Sequence, residues 1–303
     1  MLKRIYMSVE KDFEKTPSDK YRTSKKIISV LNRLSDLVLV TPTEYNEDLS
    51  VSSAYKILDG ELVTTQGRHV PHGDLFITYG DETSKNLGLG FARMQYDYLS
   101  RLEESGSFTQ FFNKSEVEER TMKENLINLR AQFGDVFAQT YKVEDERQIQ
   151  ELFNKHGSLI AKPIFGCASA GVKKINNMSD FYQNELNEKI NDYVFQEPLN
   201  GLETRVIVLG GEYLGSRQDL HYEPWSEKKP STKIGSPSVQ MIDFTKDLAE
   251  NMGADILGVD FMDDKVYEIN GTGTGLIAYN DNELLFDYTP QFVDYVEKKM
   301  GGF

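Results

Sequence analysis

Apolar and polar residues alternate along the chain in short blocks, and these blocks predict a mixed α/β protein. Residues 2 to 9 read as a strand, residues 20 to 34 carry apolar side chains at helical spacing, and residues 37 to 40 form a short β-rich apolar run. The order of strand, helix and strand predicts a β-α-β unit at the start of the chain. Further strands are expected as a hairpin over 55–58 and 61–64, turning at Asp59-Gly60, and as a single strand over 74–79.

Beyond residue 87 the pattern is mainly helical up to about residue 129 and highly charged, and the run Glu116 to Arg120 is predicted to be a solvated helix face. Strand patterns then dominate. Residues 216 to 237 are rich in Pro, Ser, Lys and Glu, and a polar loop of this length predicts disorder or a functional lid. The remaining elements are expected as a helix over 145–155 and strands over 138–143, 159–163, 172–175, 193–196, 205–209, 256–261 and 265–269.

Composition narrows the class of protein. The chain has 303 residues and a formal net charge of −14, so phosphate backbones and anionic membrane surfaces would repel it, and neither nucleic acid nor membrane is expected as a partner. No apolar run approaches the roughly 20 residues that a membrane-spanning helix needs. The single Cys cannot form an internal disulfide, so a cytoplasmic location is expected.

The most informative polar residues lie in two predicted strands joined by Asp263-Asp264. Asp260 comes late in the first strand, and Glu268 and Asn270 come late in the second, two residues apart and therefore on one face. Two carboxylates and an amide oxygen form the hard-oxygen set that magnesium takes up together with nucleotide phosphates. From these residues alone, an exposed polar hairpin remains an equal alternative.

A second candidate site follows the strand that ends at Lys162. The next loop has glycines at 166 and 171, with only small residues such as Ser169 between them, so its backbone N–H groups can approach phosphate oxygens closely. It is not a P-loop, because no Gly-Lys-Ser/Thr ending is present. An ordinary glycine turn remains the alternative to phosphate binding.

The third candidate pair is Glu203, in a predicted loop, and Arg205, at the start of the predicted strand that follows it. A carboxylate here can hold a ribose hydroxyl and a guanidinium can hold a polyphosphate. A surface salt bridge is the alternative.

Taken in order, these stretches resemble the ATP-grasp superfamily, and within it the branch of bacterial glutathione synthetases and ribosomal-protein-S6-modifying glutamate ligases. The resemblance covers about residues 120 to 280 well and the N-terminal part in outline. It implies an ATP-grasp fold, with an N-terminal α/β domain and two α+β subdomains that clamp ATP. The implied boundaries are 1–120 for the N-terminal domain with a helical linker, 121–192 for the small lid subdomain and 193–303 for the catalytic subdomain.

The resemblance also implies a role for individual residues. Asp260, Glu268 and Asn270 match the metal ligands, and Lys162 and Lys123 match the two lysines that bind the nucleotide phosphates. Arg205 and Arg217 match arginines near the transferred phosphate. The remaining matches are to nucleotide-binding positions: Gly166, Ser169 and Gly171 in the phosphate loop, Gln196, Glu197 and Leu199 in the hinge that meets adenine, and Glu203 as the ribose ligand.

The activity that the resemblance implies is an ATP- and Mg2+-dependent carboxylate–amine ligase, with Mn2+ as an alternative metal, that forms an amide through an acyl phosphate. The substrates would be small-molecule or peptide carboxylates and amines, and a homo-oligomer is implied by the resemblance alone. The glycine-rich stretch after Asn270 departs from the small residue, Ser and Pro that the family often has there, so the substrates stay open. Two other classes remain, an ATP-grasp kinase that phosphorylates a hydroxyl and a non-catalytic nucleotide-binding protein.

Overall fold

A computed structural model of the chain describes residues 3–8, 22–40, 46, 48–58, 61–69, 71–78, 97–164, 171–220, 231–271, 274–280 and 283–301. Three sheets of four or more strands and a small C-terminal hairpin organise these residues. None of the described helices is both long enough and apolar enough to cross a membrane.

The N-terminal sheet has six strands in the order β4-β3-β2-β1-β5-β6. Its core strands β1, β2, β5 and β6 are parallel, and β3 and β4 form an antiparallel hairpin at one edge. The predicted β-α-β unit and the predicted hairpin are therefore confirmed, although the Asp59-Gly60 turn lies outside the described residues. The elements are β1 (Arg4–Ser8), α1 (Arg22–Leu34), β2 (Asp36–Val40), β3 (Val51–Leu58), β4 (Glu61–His69), β5 (Gly73–Thr78) and β6 (Phe108–Phe112).

A helical linker follows, but it is interrupted by a strand that the sequence did not predict. Strand β6 falls inside the stretch expected to be helical, because its Phe108 and Phe112 are buried when it pairs with β5. Pairing with a distant strand has outweighed the local pattern. The helices around it are α2 (described over 97–104), α3 (Ser115–Arg120) and α4 (Leu126–Phe133), with a 3-10 turn at Lys123–Asn125.

The small sheet has four strands in the order β7-β10-β8-β9. Strands β8 and β9 are antiparallel, as predicted. Strand β10 also pairs in this sheet, antiparallel to β8, whereas the predicted boundary at residue 193 assigned it to the catalytic subdomain. The three-part division itself stays a prediction. The elements are β7 (Thr140–Tyr141), α5 (Glu146–His156), β8 (Leu159–Pro163), β9 (Lys173–Ile175), α6 (Met178–Gln183) and β10 (Tyr193–Gln196).

The C-terminal sheet is antiparallel, with five strands in the order β13-β12-β11-β14-β15. The predicted irregular loop over 216–237 is wrong at both ends, because β12 continues to Leu220 and pairs there with β13. Residues 221–230, the centre of the proposed lid, lie outside the described residues. The elements are β11 (Glu203–Leu209), β12 (Glu212–Leu220), β13 (Ser231–Ile234), α7 (Val239–Met252), β14 (Ile256–Met262), β15 (Lys265–Asn270), β16 (Ile277–Asn280), β17 (Glu283–Asp287) and α8 (Thr289–Lys299).

Side-chain alternation gives this sheet two different faces. The back face packs against α7 and α4 in one apolar core, through residues such as Val206, Val208 and Val259. On the front face, Ile207 and Ile256 pack in a second core that also contains residues of α1 and α8. The front face also carries Glu203, Arg205 and Asp260, on strands that the sequence analysis singled out.

Candidate active site

A buried ion pair lies at the centre of the front face. Arg205 and Asp260 are register partners on β11 and β14, and the guanidinium donates from Nε to Oδ1 at 2.5 Å and from Nη2 to Oδ2 at 2.6 Å. Their side chains are only 11% and 2% exposed. Burial by itself would lower the pKa of Arg205, but the charge of Asp260 and its hydrogen bonds raise it above the ordinary value. The Arg205 guanidinium is therefore charged in the interior.

The three predicted metal ligands lie together around this pair. Asn270 donates from Nδ2 to Asp260 Oδ2 at 3.0 Å, and Glu268 is the register partner of Asp260. Lys123 Nζ lies 3.8 Å from Glu268 Oε1. In the described part of the chain no three or more His, Cys, Asp or Glu side chains form a metal-binding group. The set is thus two carboxylates and an amide, which fits magnesium if nucleotide phosphates supply further oxygens.

Lys162 reaches this region from the small sheet. Its ammonium donates to the backbone carbonyl of Tyr267 at 3.1 Å and lies 4.4 Å from the centre of the Tyr267 ring. The side chain is buried, and burial lowers its pKa to about 8, although the charge of Glu268 opposes the shift. Burial disfavours the protonated form of Lys162, and an anionic ligand beside the ammonium would stabilise that form.

A pocket lies between the small sheet and the C-terminal sheet, with about 290 Å³ of free space that is partly open to solvent. Gln196 is fixed in it, because its amide nitrogen donates to Thr140 Oγ1 at 2.9 Å and to the Tyr267 carbonyl at 3.2 Å. The lining residues are Ile160, Lys162, Gln196, Glu197, Leu199, Met262 and Tyr267.

Glu197 and Leu199, the other predicted hinge residues, line the same pocket. The Glu197 carboxylate accepts the Gln139 N–H at 2.9 Å and Lys265 Nζ at 3.0 Å. Burial would raise the pKa of Glu197, but these bonds outweigh it and lower the pKa. The Glu197 N–H donates to the Gln139 carbonyl, and Leu199 packs against a cluster of Ala138, Met262 and Tyr267. The carboxylate and the N–H of Glu197 are thus both used within the protein.

Glu203 has an unpaired oxygen in the same cleft. It is 3% exposed, and its Oε2 has no hydrogen-bond partner among the described residues. Burial, with the nearby charge of Asp260, raises its pKa to about 8, against an opposing effect of Arg205. Buried polar atoms are nearly always paired, so an orphan acceptor favours a ligand hydroxyl at this point.

Arg217 lies beside Arg205 as its register partner on β12. Its Nη2 is 3.5 Å from Asp219 Oδ2, and its Nε is buried without a hydrogen-bond partner in the described structure. The two predicted arginines are therefore adjacent on neighbouring strands.

The predicted phosphate loop is only partly described. Gly166 and Ser169 lie outside the described residues, so their phosphate-binding role stays a prediction. Gly171 has φ +75°, and a Cβ there would lie 2.9 Å from Pro163 Cγ. Both the backbone conformation and the available space therefore require glycine at this position.

Sequence reasoning missed two residues that organise the site. The carbonyl of Tyr267 accepts from Lys162 and Gln196, and the residue lies at a β-bulge, where Asp260 pairs with Glu268 but Phe261 pairs with Val266. No sequence pattern marks such a bulge. Asp219 does carry a signal, since it lies two residues after Arg217 on one strand face.

Comparisons with known proteins show what this arrangement is similar to. No family model and no curated protein match the chain. Solved structures match over nearly its whole length, and three of them have TM-scores of 0.61 to 0.68 at 10 to 15% identity. At this identity the likeness shows the fold, and the chain has the ATP-grasp fold.

The three structures are all of ligases or synthetases. D-cycloserine synthetase DcsG has 10% identity and a TM-score of 0.68, covering 98% of this chain and 99% of that one. D-alanine–D-alanine ligase from Bacillus anthracis, complexed with ATP, has 13% identity and a TM-score of 0.64, covering 99% and 97%. The ATP-grasp ligase PsnB, complexed with minimal precursor, Mg and ADP, has 15% identity and a TM-score of 0.61, covering 98% of each chain.

Proposed function

We propose that this chain is an ATP-dependent carboxylate–amine ligase. The observation that carries the proposal is the set of charged residues on the front face: a buried Arg205–Asp260 pair, with Asn270 bonded to the same carboxylate and a buried lysine facing it from the small sheet. A protein that only binds nucleotide has little need of so complete a set.

The pocket between the sheets is proposed to hold the adenine and ribose of ATP. The two described side-chain hydrogen bonds of Gln196 are both donated by its amide nitrogen. Its amide oxygen is turned away from those partners and can accept from the exocyclic amine of adenine. The hinge backbone at Glu197 and Leu199 would meet the rest of the base. The orphan oxygen of Glu203 would accept a ribose hydroxyl.

The phosphates are proposed to lie along the front face, where four cations surround the carboxylates. Lys162 and Lys123 would contact the nucleotide phosphates, and Arg205 and Arg217 the phosphoryl group in transfer. Asp260, Glu268 and Asn270 would hold magnesium, which supplies positive charge against the phosphate oxygens. The protein's part is mainly positioning and electrostatic stabilisation.

The proposed reaction has two steps, phosphoryl transfer to the carboxylate and then attack of the amine on the acyl phosphate. A carboxylate oxygen attacks the γ-phosphorus of ATP, the bond to the bridging oxygen breaks, and ADP leaves. The amine nitrogen then attacks the carbonyl carbon of the acyl phosphate, phosphate leaves with the bonding electron pair, and the amine gives up a proton. Arg205 lies where it can offset the negative charge that develops on the acyl group in both steps.

The substrates are proposed by class only. PsnB has also been solved with precursor peptide PsnA2, and the other two compared structures are of D-cycloserine synthetase and D-alanine–D-alanine ligase. Peptide carboxylates and amino acids are therefore the first candidates. Membership of the glutathione synthetase and S6-ligase branch, use of Mn2+, a cytoplasmic location and a homo-oligomer stay predictions from the sequence.

The test is phosphate release from ATP and magnesium, measured over a panel of amino acids and peptides as carboxylates, each mixed with amines. We expect release that needs both a carboxylate and an amine and that is lost in Asn270→Ala. ADP formation with the phosphate retained on a substrate would indicate the kinase instead. Tight ATP binding with no turnover in any mixture would indicate a non-catalytic binder.

Lys162 makes ATP affinity dependent on pH. Its pKa of about 8 lies below the ordinary value of 10.5, so the free protein loses the ammonium proton as pH rises through 8. A bound polyphosphate stabilises the ammonium form and raises this pKa. Affinity should therefore be highest below pH 8 and fall above it, by at most about tenfold per pH unit.

The measurement is the dissociation constant of ATP between pH 7 and 9.5 in wild type and Lys162→Arg. Arginine stays protonated over this range, so the fall assigned to Lys162 should disappear. Glu203 also has a raised pKa, but it is present in both proteins and cancels in the comparison. Equal slopes would contradict the role of Lys162.

A further inference from the structure

Thr274 and Gly275, which follow the predicted metal ligand Asn270 in the sequence, lie close to both arginines. The carbonyl of Thr274 accepts from Arg205 Nη1 at 3.3 Å, and a Cβ on Gly275 would lie 3.5 Å from Arg217 Nη1. The position of these two residues therefore bears on the geometry of both arginines.

The Glu118 carboxylate packs against Gly271, the residue directly after Asn270. A Cβ on Gly271 would lie 2.5 Å from each oxygen of the Glu118 carboxylate, which is closer than real Cβ contacts come. The carboxylate thus occupies the space that a side chain at 271 would take. Asn270 faces the front of the sheet, so by alternation Gly271 faces the back, where α3 packs through Val117.

The carboxylate is itself fixed by a buried residue. Asn113 donates from Nδ2 to Glu118 Oε1 at 3.0 Å and is 3% exposed. Its Oδ1 accepts the N–H groups of Asp255 and Ile256 at 2.7 and 3.1 Å, and its Nδ2 also donates to the Ile256 carbonyl at 3.0 Å. Glu118 is therefore tied to the start of β14, the strand that carries Asp260.

We propose that Glu118 is a positioning residue for the metal-ligand set. Glu118 links the start of β14 to the end of β15 and so fixes the position of Asn270 relative to Asp260. The described contacts of its carboxylate are with Asn113 and Gly271, and not with Asn270 or Asp260. Groups behind a metal ligand that set its orientation commonly change metal affinity by about 10- to 100-fold when they are removed. The inference rests on the proposed function, because it assumes that Asn270 binds magnesium.

The structure also corrects the prediction that Glu116 to Arg120 is simply a solvated face. Glu116 and Glu119 are exposed, but Glu118 is half-buried against Gly271. The helix offers a matched control, since Glu116 has the same charge and lies on the same six-residue element.

The experiment measures ATP binding by calorimetry over a range of magnesium concentrations, so that turnover is not needed. Glu118→Ala should raise the magnesium concentration for half-maximal enhancement of ATP binding by about 10-fold. Glu118→Gln keeps an oxygen that accepts from Asn113 and should restore most of the response, and Glu116→Ala should match wild type. Glu118→Ala with the wild-type response would overturn the proposal.

A second variant keeps the test valid if Glu118→Ala folds poorly. Gly271→Ala should weaken the magnesium response because its methyl group displaces the carboxylate. The double variant Gly271→Ala, Glu118→Ala should respond to magnesium little worse than Gly271→Ala alone, since the clash has been removed. If the losses of the two single variants instead multiply in the double variant, the link between Glu118 and Gly271 is contradicted. If ATP binding by wild type does not depend on magnesium at all, the proposed metal site has failed rather than the role of Glu118.

Discussion

Replacing Asp260 by asparagine is expected to lower ATP-dependent turnover by at least about 100-fold, since a metal-held charge contributes several kcal/mol to transition-state stabilisation. Asparagine keeps the shape of the side chain and one oxygen. It removes the negative charge that holds Arg205 and that would hold magnesium. The measurement is the rate of ADP formation at saturating substrates, with magnesium varied.

Asp264→Asn is the matched control for this substitution. Asp264 lies in the exposed turn between β14 and β15, four residues from Asp260, and the substitution makes the same change in charge. We expect it to leave turnover unchanged. Equal activity of Asp260→Asn and wild type would rule out Asp260 as a metal ligand and remove the main support for the ligase.

Replacing Arg205 by methionine is expected to destabilise the protein by about 3–5 kcal/mol, because Asp260 is then left buried and charged without its partner. The loss should appear in chemical denaturation followed by probes in the C-terminal sheet. Turnover should also fall, because Arg205 faces the proposed phosphoryl group.

The double variant Arg205→Met, Asp260→Asn separates this pair from general damage to the core. Removing both charges leaves no unpaired ion, so the double variant should be more stable than Arg205→Met alone. Strictly additive losses would show that the two side chains do not depend on each other in the folded state.

Local periodicity was sufficient to predict much of the fold. The β-α-β unit and the β14–β15 hairpin follow from apolar runs of strand length, and the structure confirms both. Strand β6 could not be predicted, because its five residues become a strand only by pairing with β5, about 30 residues earlier. The same holds for β13, whose polar residues pair with β12 across a long connection.

The candidate site was predicted best where its residues share a strand. Glu268 and Asn270 were placed on one face by their spacing, and Asn270 does contact Asp260. Glu118 was interpreted as surface because a run of charges is usually solvated, and in a six-residue helix the apolar period is too short to show which charge faces inward. Glycine at 271 becomes informative only once the carboxylate beside it is seen.

The carbonyl oxygen of Tyr267 accepts from both Lys162 and Gln196, two side chains of the small sheet, although it belongs to the C-terminal sheet. Rotation of the small sheet away from this point would separate both donors from one oxygen in a single movement. The small sheet and the C-terminal sheet are thus joined through hydrogen bonds to one backbone carbonyl. A substitution of the side chain at residue 267 would not remove that carbonyl.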